Sequence, residues 1–440
     1  MSTNIGVELH SLARRLWPIN RSITGEGVRE TLKIISENLH ALEVKSVSSG
    51  TQVFDWTVPK EWSVKEAYII TPDGRKICDF SENNLHLVGY SIPFEGIVSF
   101  DKLKKNLFTQ PDQPDAIPYI TSYYKKRWGF CLTQNQFNTL KNGNYKIIIK
   151  SALFDGVLNY GELLIKGKSD KEIFLSTYIC HPSMANNELS GITVLAFLAK
   201  WLLKKIKPKY SYRIVFVPET IGSIVYLNQN YKYMIKKIFA GFNLSCVGDD
   251  RAYSYLPSRN GNTISDLIAK HVLKWIEPNF IQYSWLDRGS DERQYCAPGI
   301  DLPIASILRT KYGEFPEYHT SLDNLENVVT PNGLNGGYWA IRKAIEAIEA
   351  NENYKVTVLC EPFMSKRELF PSIARKISKK GGLDEEVYLM MNFISLCDGN
   401  TSLLAIAERL NMPIWELYDL VDKLKSHSLI GEVNELGDLE

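Results

Sequence analysis

The sequence predicts an α/β protein with a mostly parallel or mixed sheet between layers of helices. Residues from about 157 to 345 alternate apolar, strand-like runs with helix-like segments, which is the pattern of such a sheet. The stretch from about 50 to 150 instead has short β-prone runs between aromatic residues and prolines, which indicates a separate β-rich module. From about 355 the chain favours three helices and a small hairpin, a winged helix-turn-helix pattern.

In the alternating part, each predicted element rests on a run of apolar residues with the period of a helix or of a buried strand. The predicted strands are 173–179, 213–217, 238–247 and 303–308, and the predicted helices are 190–203, 263–275 and 331–350. Open α/β sheets bind their ligands at the carboxyl ends of the strands. We therefore expect polar residues that directly follow these strands to share one crevice.

The amino-terminal part, from about 6 to 45, has apolar residues at helical spacing and predicts two helices. Between them lies the segment 20–27, NRSITGEG. Two interpretations stay open for this segment: a conformational or substrate loop, or the capped start of the second helix. The sequence by itself favours the capped start.

The carboxyl-terminal part predicts helices at 385–396, 402–410 and 413–425 and a hairpin at 426–433. The third helix has Glu416, Asp419 and Asp422, whose charges would repel nucleic-acid phosphates. This argues against DNA binding and favours a packing role, a protein partner or a homo-oligomer contact. A basic and aromatic patch at 123–128 is more typical of a solvated strand edge than of a nucleic-acid surface.

Charge and composition exclude several classes of protein. The 51 Lys and Arg residues balance 50 Asp and Glu residues, so a formal net charge of +1 gives no pull toward nucleic acid or anionic membrane. No apolar run is long enough for a transmembrane helix, and no secretory signal is recognised. Seven cysteines are scattered singly, which predicts free thiols and a cytoplasmic protein.

Three segments, 180–191, 217–220 and 318–323, follow strand-like runs and carry the residues of a hydrolytic metal site. His181 and His319 supply two imidazoles, and Glu219 is an isolated carboxylate after an apolar strand. Together they are enough to hold zinc and to activate water. We expect Glu219 to be the general base; the alternative is an ion-paired surface acid. For either histidine alone, a structural role would be the simpler interpretation.

Other residues of these segments have two open interpretations each. Glu188 is either a metal ligand or a helix-capping acid, and Asn187 is either a site residue or a cap. Asp323 either accepts the second ring N–H of a metal-bound histidine or caps the turn beside Tyr318 and His319. The charged cluster Asp291, Glu292 and Arg293 either clamps a substrate amine or carboxylate, or forms a salt-bridged surface loop.

Five motifs carry a resemblance to a known family: TYICHPSMANNELSG, VPETIG, GSDERQYCAPGIDLP, EYHTSLDN and NRSITGEGVRETL. The sequence resembles the zinc aminopeptidase and carboxypeptidase superfamily, and more closely a bacterial aminopeptidase-like family with an inserted domain and a terminal winged helix. The resemblance implies a three-layer α/β/α core with a mixed sheet from 1–50 and 151–350. It places an inserted β-rich domain at 51–150 and the winged helix domain at 351–440.

The resemblance also implies roles for single residues. His181 matches the first histidine ligand of the superfamily, His319 the last, and Glu219 the general base. Three acidic ligands of the two-zinc enzymes fall instead at neutral residues of this chain, which are Asn187, Thr220 and Ser245.

These departures favour one zinc ion over two, held by His181, His319 and one carboxylate, for which Glu188 is our first choice. The substrate-binding residues are then expected among Asn187, Asp291, Glu292, Arg293 and Tyr318. Asp323 is expected to contact a metal ligand and not the metal itself. Three protein ligands and a water are the usual catalytic arrangement.

The predicted function is hydrolysis of an amide bond in a peptide or an N-acylated small metabolite, with Glu219 moving a proton from zinc-activated water. A second hypothesis is an inactive descendant of the fold that binds a peptide or amino sugar. A third is a regulator that acts through the winged helix.

Overall fold

The computed structural model describes residues 5–205, 207–369, 385–433 and 439. They divide into two compact units, one of Met1–Ala269 with Asn279–Ile341 and the other of Lys270–Pro278 with Arg342–Glu440. The domain boundaries proposed at residues 50, 150 and 350 stay predictions. Among the described residues, no helix combines the length and apolar character needed to cross a membrane.

The secondary structure alternates along most of the first unit and is mixed in the second. The α-helices are α1 (Ile5–Leu16), α2 (Glu26–Ser36), α3 (Phe100–Leu103), α4 (Gln134–Asn138), α5 (Ser190–Leu203), α6 (Ile221–Lys237), α7 (Ile264–Ile276), α8 (Glu292–Tyr295), α9 (Pro331–Ala350), α10 (Glu385–Leu396), α11 (Leu403–Leu410) and α12 (Tyr418–Ser426). The strands are β1 (Glu43–Ser48), β2 (Gln52–Val53), β3 (Trp56–Thr57), β4 (Glu61–Ile70), β5 (Lys76–Ile77), β6 (Phe94–Ser99), β7 (Leu107–Phe108), β8 (Phe130–Cys131), β9 (Asn144–Phe154), β10 (Val157–Ile165), β11 (Glu172–Tyr178), β12 (Ser211–Val217), β13 (Ile238–Asn243), β14 (Ser254–Leu256), β15 (Ile281–Gln282), β16 (Ile304–Leu308), β17 (Asn353–Val356), β18 (Asp398–Ser402) and β19 (Ile430–Glu432).

An eight-stranded mixed sheet forms the centre of the first unit, with strand order β1-β10-β12-β11-β13-β16-β14-β15. The four middle strands, β12, β11, β13 and β16, run parallel to one another. Antiparallel strands flank them, β10 beside β12 and β14 beside β16. This confirms the predicted α/β fold with a mixed sheet. It also brings the carboxyl ends of β11, β12 and β16 to one edge.

Helices cover both faces of this sheet. Helix α5 lies against the face that carries Thr177, because a Cβ on Gly191 would come within 2.5 Å of Thr177 Oγ1. Helix α6 lies on the opposite face, where the ring of Tyr226 stacks on Phe174 at 6.3 Å. Phe174 and Thr177 are an odd number of residues apart in one strand, so their side chains point to opposite faces. The result is the predicted three-layer arrangement.

A second sheet, with strand order β5-β4-β9-β6, lies in the predicted β-rich stretch. Its strands are antiparallel, and the long pair β4 and β9 aligns Glu61 with Phe154 and Ile70 with Lys146. Ala67, Ile69, Ile147 and Ile149 bury their side chains in one core with parts of the main sheet.

The amino-terminal prediction is wrong at its end. Helix α2 ends at Ser36, and residues 43–48 form β1, which pairs antiparallel with β10. Leu39 and Leu42 keep the buried positions that gave a helical spacing, but they lie in the turn before this strand. Tertiary pairing with β10 therefore overrides the local pattern.

The second unit has the helices of the predicted winged helix and a three-stranded sheet of order β18-β17-β19. The predicted hairpin at 426–433 is wrong, because β19 pairs antiparallel with β17, a strand more than 70 residues earlier in the chain. The predicted helix 413–425 begins as a 3₁₀ turn, Ile414–Leu417, and continues as α12. Leu403, Ile406 and Leu424 are buried on the core side of α11 and α12.

We predict that the buried Arg213 stabilises the main sheet across three strands. Its guanidinium contacts Glu172 at 2.7 Å and Glu162 at 2.5 Å, and all three side chains are buried. Arg213→Met removes the cation between the two buried carboxylates, leaving Glu162 with Lys45 alone, and should lower the free energy of unfolding by about 3–5 kcal/mol in urea titrations. Arg251→Met, which breaks the more exposed pair with Glu317, is the matched control, with an expected loss of about 1 kcal/mol or less. Equal losses would contradict the assignment.

Candidate functional site

His181 lies three residues after β11 ends, and its side chain is buried. Its Nδ1 lies 3.0 Å from Glu188 Oε2, and its backbone N–H donates to the same oxygen. On the other side of the ring, Nε2 lies 3.7 Å from Glu219 Oε2, which is too long for a hydrogen bond. Glu188 thus fixes the ring and leaves Nε2 available to a ligand.

Glu188 is also paired with a cation. Arg21 Nε donates to Glu188 Oε1 at 2.7 Å and to the carbonyl oxygen of His181 at 3.1 Å, and Nη1 donates to Leu16 O at 2.7 Å. Both side chains of the pair are fully buried. The structure therefore gives each carboxylate oxygen of Glu188 a protein partner: Oε1 contacts Arg21 and Oε2 contacts His181.

His319 lies beside His181. The centroids of the two imidazoles are 5.4 Å apart, and Tyr119 contacts both rings at 5.2 and 5.3 Å. Tyr318 stacks on His319 at 3.9 Å. Burial lowers the pKa of His319 to about 3, so the ring is neutral, as a metal ligand must be. Its Nε2 is buried without a hydrogen-bond partner among the described residues.

Glu219 follows β12 and faces the same crevice. Ser290 Oγ donates to Glu219 Oε1 at 2.8 Å, and the backbone N–H of Glu219 donates to Cys180 Sγ at 3.2 Å. Burial raises the pKa of Glu219, opposed by the neighbouring His181. The carboxylate therefore has one oxygen held by Ser290 and the other facing His181.

The predicted charged cluster, Asp291, Glu292 and Arg293, contacts the segment that carries Glu219. Asp291 accepts hydrogen bonds from Thr220 N at 2.7 Å and Ser223 Oγ at 2.8 Å. Burial, together with the charge of Glu219, raises the pKa of Asp291 to about 8. Arg293 is exposed and donates to Thr220 Oγ1 at 2.7 Å. These contacts tie the loop to the strand end that carries Glu219.

Glu292 holds the turn that carries Ser290. Its Oε1 accepts from the backbone N–H groups of Gly289 and Ser290, both at 2.9 Å, and from Tyr312 OH at 2.5 Å. Its Oε2 accepts from Asn243 Nδ2 at 3.1 Å. The carboxylate is fully buried and shapes the turn that presents Ser290 to Glu219.

Asp323 binds backbone rather than a histidine ring. It accepts the N–H groups of Asn186 at 2.7 Å and Asn187 at 2.9 Å, at the start of the π-helix Ala185–Leu189. Asn187 Oδ1 in turn accepts from Tyr178 OH at 2.5 Å, while Asn187 Nδ2 has no partner among the described residues. Asp323 therefore caps the short helix that carries Glu188.

The donor atoms of the site suit a metal ion. Among the described residues, only Cys180, His181 and Glu188 bring three donor atoms within 4.8 Å of one another. The Glu188 oxygens in that group already have partners. In contrast, His319 Nε2 has no hydrogen bond to the described residues, and His181 Nε2 has only the 3.7 Å contact with Glu219 Oε2. The imidazoles of His181 and His319, beside the carboxylate of Glu219, form a donor set that fits zinc.

Sequence reasoning missed several residues of this site. Arg21 lies in the NRSITGEG segment, for which a loop role was one of two interpretations, but nothing in the sequence indicated its partner Glu188. Tyr119 comes from the β-rich stretch and Ser290 from the turn before Asp291. No periodicity marks such residues, because only the tertiary fold brings them to the histidines.

Asp323→Asn should remove a pH-dependent contribution to stability. Burial raises the pKa of Asp323 to about 7, above the unfolded value of about 3.9, so its contribution is present at low pH and lost as the pH rises from about 4 to 7. The free energy of unfolding of the wild type should therefore fall relative to that of Asp323→Asn across this range. Asp112→Asn, at an exposed residue, should follow the wild type. Parallel profiles for wild type and Asp323→Asn would contradict the assignment.

Most of the chain matches models of known protein families. Residues 10–351 match the family model described as "Domain of unknown function (DUF4910)", and residues 352–432 match a winged helix-turn-helix model. A protein of Clostridium acetobutylicum is 43% identical over 426 residues, which is 96% of each chain. Its provisional name refers to polysaccharide biosynthesis and an aminopeptidase-like domain.

Solved structures show the same fold. A crystal structure from C. acetobutylicum, provisionally named a peptidase, superimposes with a TM-score of 0.90 at 42% identity, covering 98% of this chain and 97% of the other. A zinc aminopeptidase from Bacillus subtilis gives a TM-score of 0.57 at 13% identity, covering 78% and 93%. The expected aminopeptidase-like fold with a terminal winged helix is thus confirmed. The chain belongs to the DUF4910 family and joins its aminopeptidase-like domain to a winged helix-turn-helix.

Proposed function

We propose that this protein is a zinc-dependent hydrolase that cleaves an amide bond. The observation that carries the proposal is the pairing of two imidazoles, the buried His181 and the half-buried His319, with the carboxylate of Glu219 at 3.7 Å from His181 Nε2. The zinc aminopeptidase fold of the structural relatives supports the same class of reaction.

His181 and His319 are the proposed ligands of one zinc ion. His319 offers an Nε2 without a hydrogen bond to the described residues, and burial lowers the pKa of this ring and keeps it neutral. His181 offers an Nε2 whose contact with Glu219 Oε2, at 3.7 Å, is too long for a hydrogen bond. When bound, zinc polarises a carbonyl oxygen and lowers the pKa of water. Neutral residues at Asn187, Thr220 and Ser245, where the two-zinc enzymes have acids, favour one ion over two.

Glu188 is proposed to position His181. The sequence made it the first choice for the third ligand, but one of its oxygens contacts Arg21 and the other contacts His181 Nδ1. A carboxylate on the second ring nitrogen fixes the ring and raises its basicity. The buried Arg21 in turn holds Glu188 in place.

Glu219 is proposed to be the general base. Ser290 holds Oε1, so Oε2 is the oxygen that takes a proton from the attacking water. The water oxygen bonds to the amide carbon, the carbon–nitrogen bond breaks, and Glu219 returns the proton to the departing amine. Burial raises the pKa of Glu219, which suits a group that must both take up and release a proton.

The substrate is proposed to be a peptide or an N-acylated small metabolite. Asn187, Asp291, Glu292, Arg293 and Tyr318 are retained as candidates for the substrate side, with different roles. Tyr318 lies on His319 and Arg293 is the most exposed of the charged cluster. Asp291 and Glu292 are proposed to act indirectly. Asp291 accepts a hydrogen bond from the backbone of Thr220, and Glu292 accepts one from the backbone of Ser290.

A metal-free binding protein is the second candidate function. It is favoured by one observation, that Asn187 Nδ2 and Ser245 Oγ are buried without partners among the described residues at two positions where the enzymes have acids. Such groups suit a polar ligand as well as they suit a remnant of a second metal site. Metal content separates the two functions.

Elemental analysis of gently purified protein should find about one zinc per chain. His319→Ala should lower the zinc content several-fold, because it removes one of two imidazoles. His40→Ala, at an exposed histidine, is the matched control and should keep the wild-type content. Metal-free wild-type protein that takes up no added zinc would overturn the proposal in favour of the binding protein.

Glu219→Gln should keep zinc and lose activity. A panel of aminoacyl and N-acyl compounds first identifies a substrate, and kcat of the variant should then be lower by about 10²–10⁴-fold, the usual contribution of a general base. Glu326→Gln, at an exposed glutamate, should have wild-type kcat. Loss of zinc in Glu219→Gln would make Glu219 a ligand instead, and unchanged kcat would exclude both roles.

A further inference from the structure

Arg293 is the exposed member of the charged cluster Asp291, Glu292 and Arg293. The two acids are fully buried, and both accept hydrogen bonds from inside the protein, Asp291 from Ser223 Oγ and Glu292 from Tyr312 OH. The cluster therefore presents a positive charge to solvent and keeps its carboxylates inside. A substrate amine meets no exposed carboxylate in this cluster, whereas a substrate anion meets a guanidinium.

The guanidinium of Arg293 has hydrogen-bonding capacity left. Its Nη2 donates to Thr220 Oγ1 at 2.7 Å, and no carboxylate among the described residues forms a salt bridge with it. An arginine side chain has five N–H donors in a planar fork, so one such bond leaves the others available. This fork matches the two oxygens of a carboxylate, which it binds through two parallel hydrogen bonds.

Thr220 holds Arg293 in place and has an unusual backbone conformation itself. Its φ of 61° and ψ of −74°, with a hydrogen bond from Ile221 N to Glu219 O at 2.7 Å, make it the centre of a γ-turn. Such a turn is strained for a β-branched residue and persists only where the surroundings enforce it. Here Asp291 binds the N–H of Thr220, and Arg293 binds its hydroxyl oxygen. The guanidinium is therefore fixed to the residue that follows the proposed general base.

Arg293 also lies close to the reacting groups. Ser290, three residues earlier in the same loop, donates to Glu219 Oε1 at 2.8 Å. Burial raises the pKa of Glu219, and the charge of Arg293 opposes that rise. Burial and the charge of Glu219 raise the pKa of Tyr318, whose ring stacks on a proposed metal ligand, and Arg293 opposes this rise as well. The guanidinium thus acts on both sides of the place where the amide is expected to bind.

We propose that Arg293 is a specificity-determining residue, which binds a carboxylate next to the cleaved amide, and that the substrate is an N-acylated amino acid. In such a molecule a single carbon atom separates the carboxylate from the amide nitrogen. An amide beside the two histidines and Glu219 then has its carboxylate on the side of Arg293. The identity of the cleaved bond rests on the proposed function, whereas carboxylate binding by Arg293 requires neither zinc nor turnover.

Calorimetric titration of the full chain with levulinate and levulinamide tests the proposal. Levulinate is N-acetylglycine with a methylene group in place of the amide nitrogen, so it has the carboxylate but cannot be hydrolysed, and levulinamide is its uncharged counterpart. Levulinate should bind about fivefold more tightly, which is within reach of one arginine–carboxylate pair. The Arg293→Gln variant should bind both compounds equally. Arg293→Lys should keep part of the preference, because it keeps the charge without the planar fork.

Arg288→Gln is the matched control. Arg288 is an exposed arginine earlier in the same loop, and its guanidinium lies over the ring of Trp285 at 4.9 Å, so the variant should keep the wild-type preference for levulinate. The proposal is overturned if the wild type binds both compounds equally, or if Arg293→Gln keeps the preference. A preference that depends on Arg293, in a protein without amidase activity, would refute the hydrolase and leave the carboxylate site. Amide hydrolysis without this preference would do the reverse.

Discussion

The buried ion pair between Arg21 and Glu188 is the interaction on which the site depends. Two opposite charges without solvent exposure are stable only when each has its partner, so neither side chain can move independently. Glu188 holds the His181 ring, and Arg21 holds the backbone of the same residue. One pair thereby fixes the direction of His181 Nε2 and connects it to the amino-terminal loop.

The main sheet supplies the rest of the arrangement. Parallel strands β11 and β12 end side by side, which brings His181 and Glu219 to one edge, and the long segment after β16 returns His319 to the same place. The β-rich stretch adds Tyr119, whose ring contacts both imidazoles. The site is therefore assembled from the amino-terminal loop, the sheet edge and the β-rich stretch together.

The sequence was sufficient to predict the α/β class, the strands that carry the site and the presence of a winged helix, because these follow from apolar periodicity and from motifs at strand ends. Helices α5 and α9 agree with their predicted bounds. The sequence was insufficient to predict strand β1 and the absence of a hairpin at 426–433, because the distant strands β10 and β17 decide the pairing there. It was also insufficient for the position of Glu188, since whether a carboxylate is free or paired depends on Arg21, 167 residues away.

Anomalous diffraction at the zinc edge, from crystals of the zinc-loaded protein, tests the central claim most directly. The account predicts one zinc ion about 2.0–2.1 Å from both His181 Nε2 and His319 Nε2, with Glu188 still bound to Arg21. Zinc bound instead by Cys180 and Glu188, or zinc absent from the histidines at saturating concentration, would contradict it.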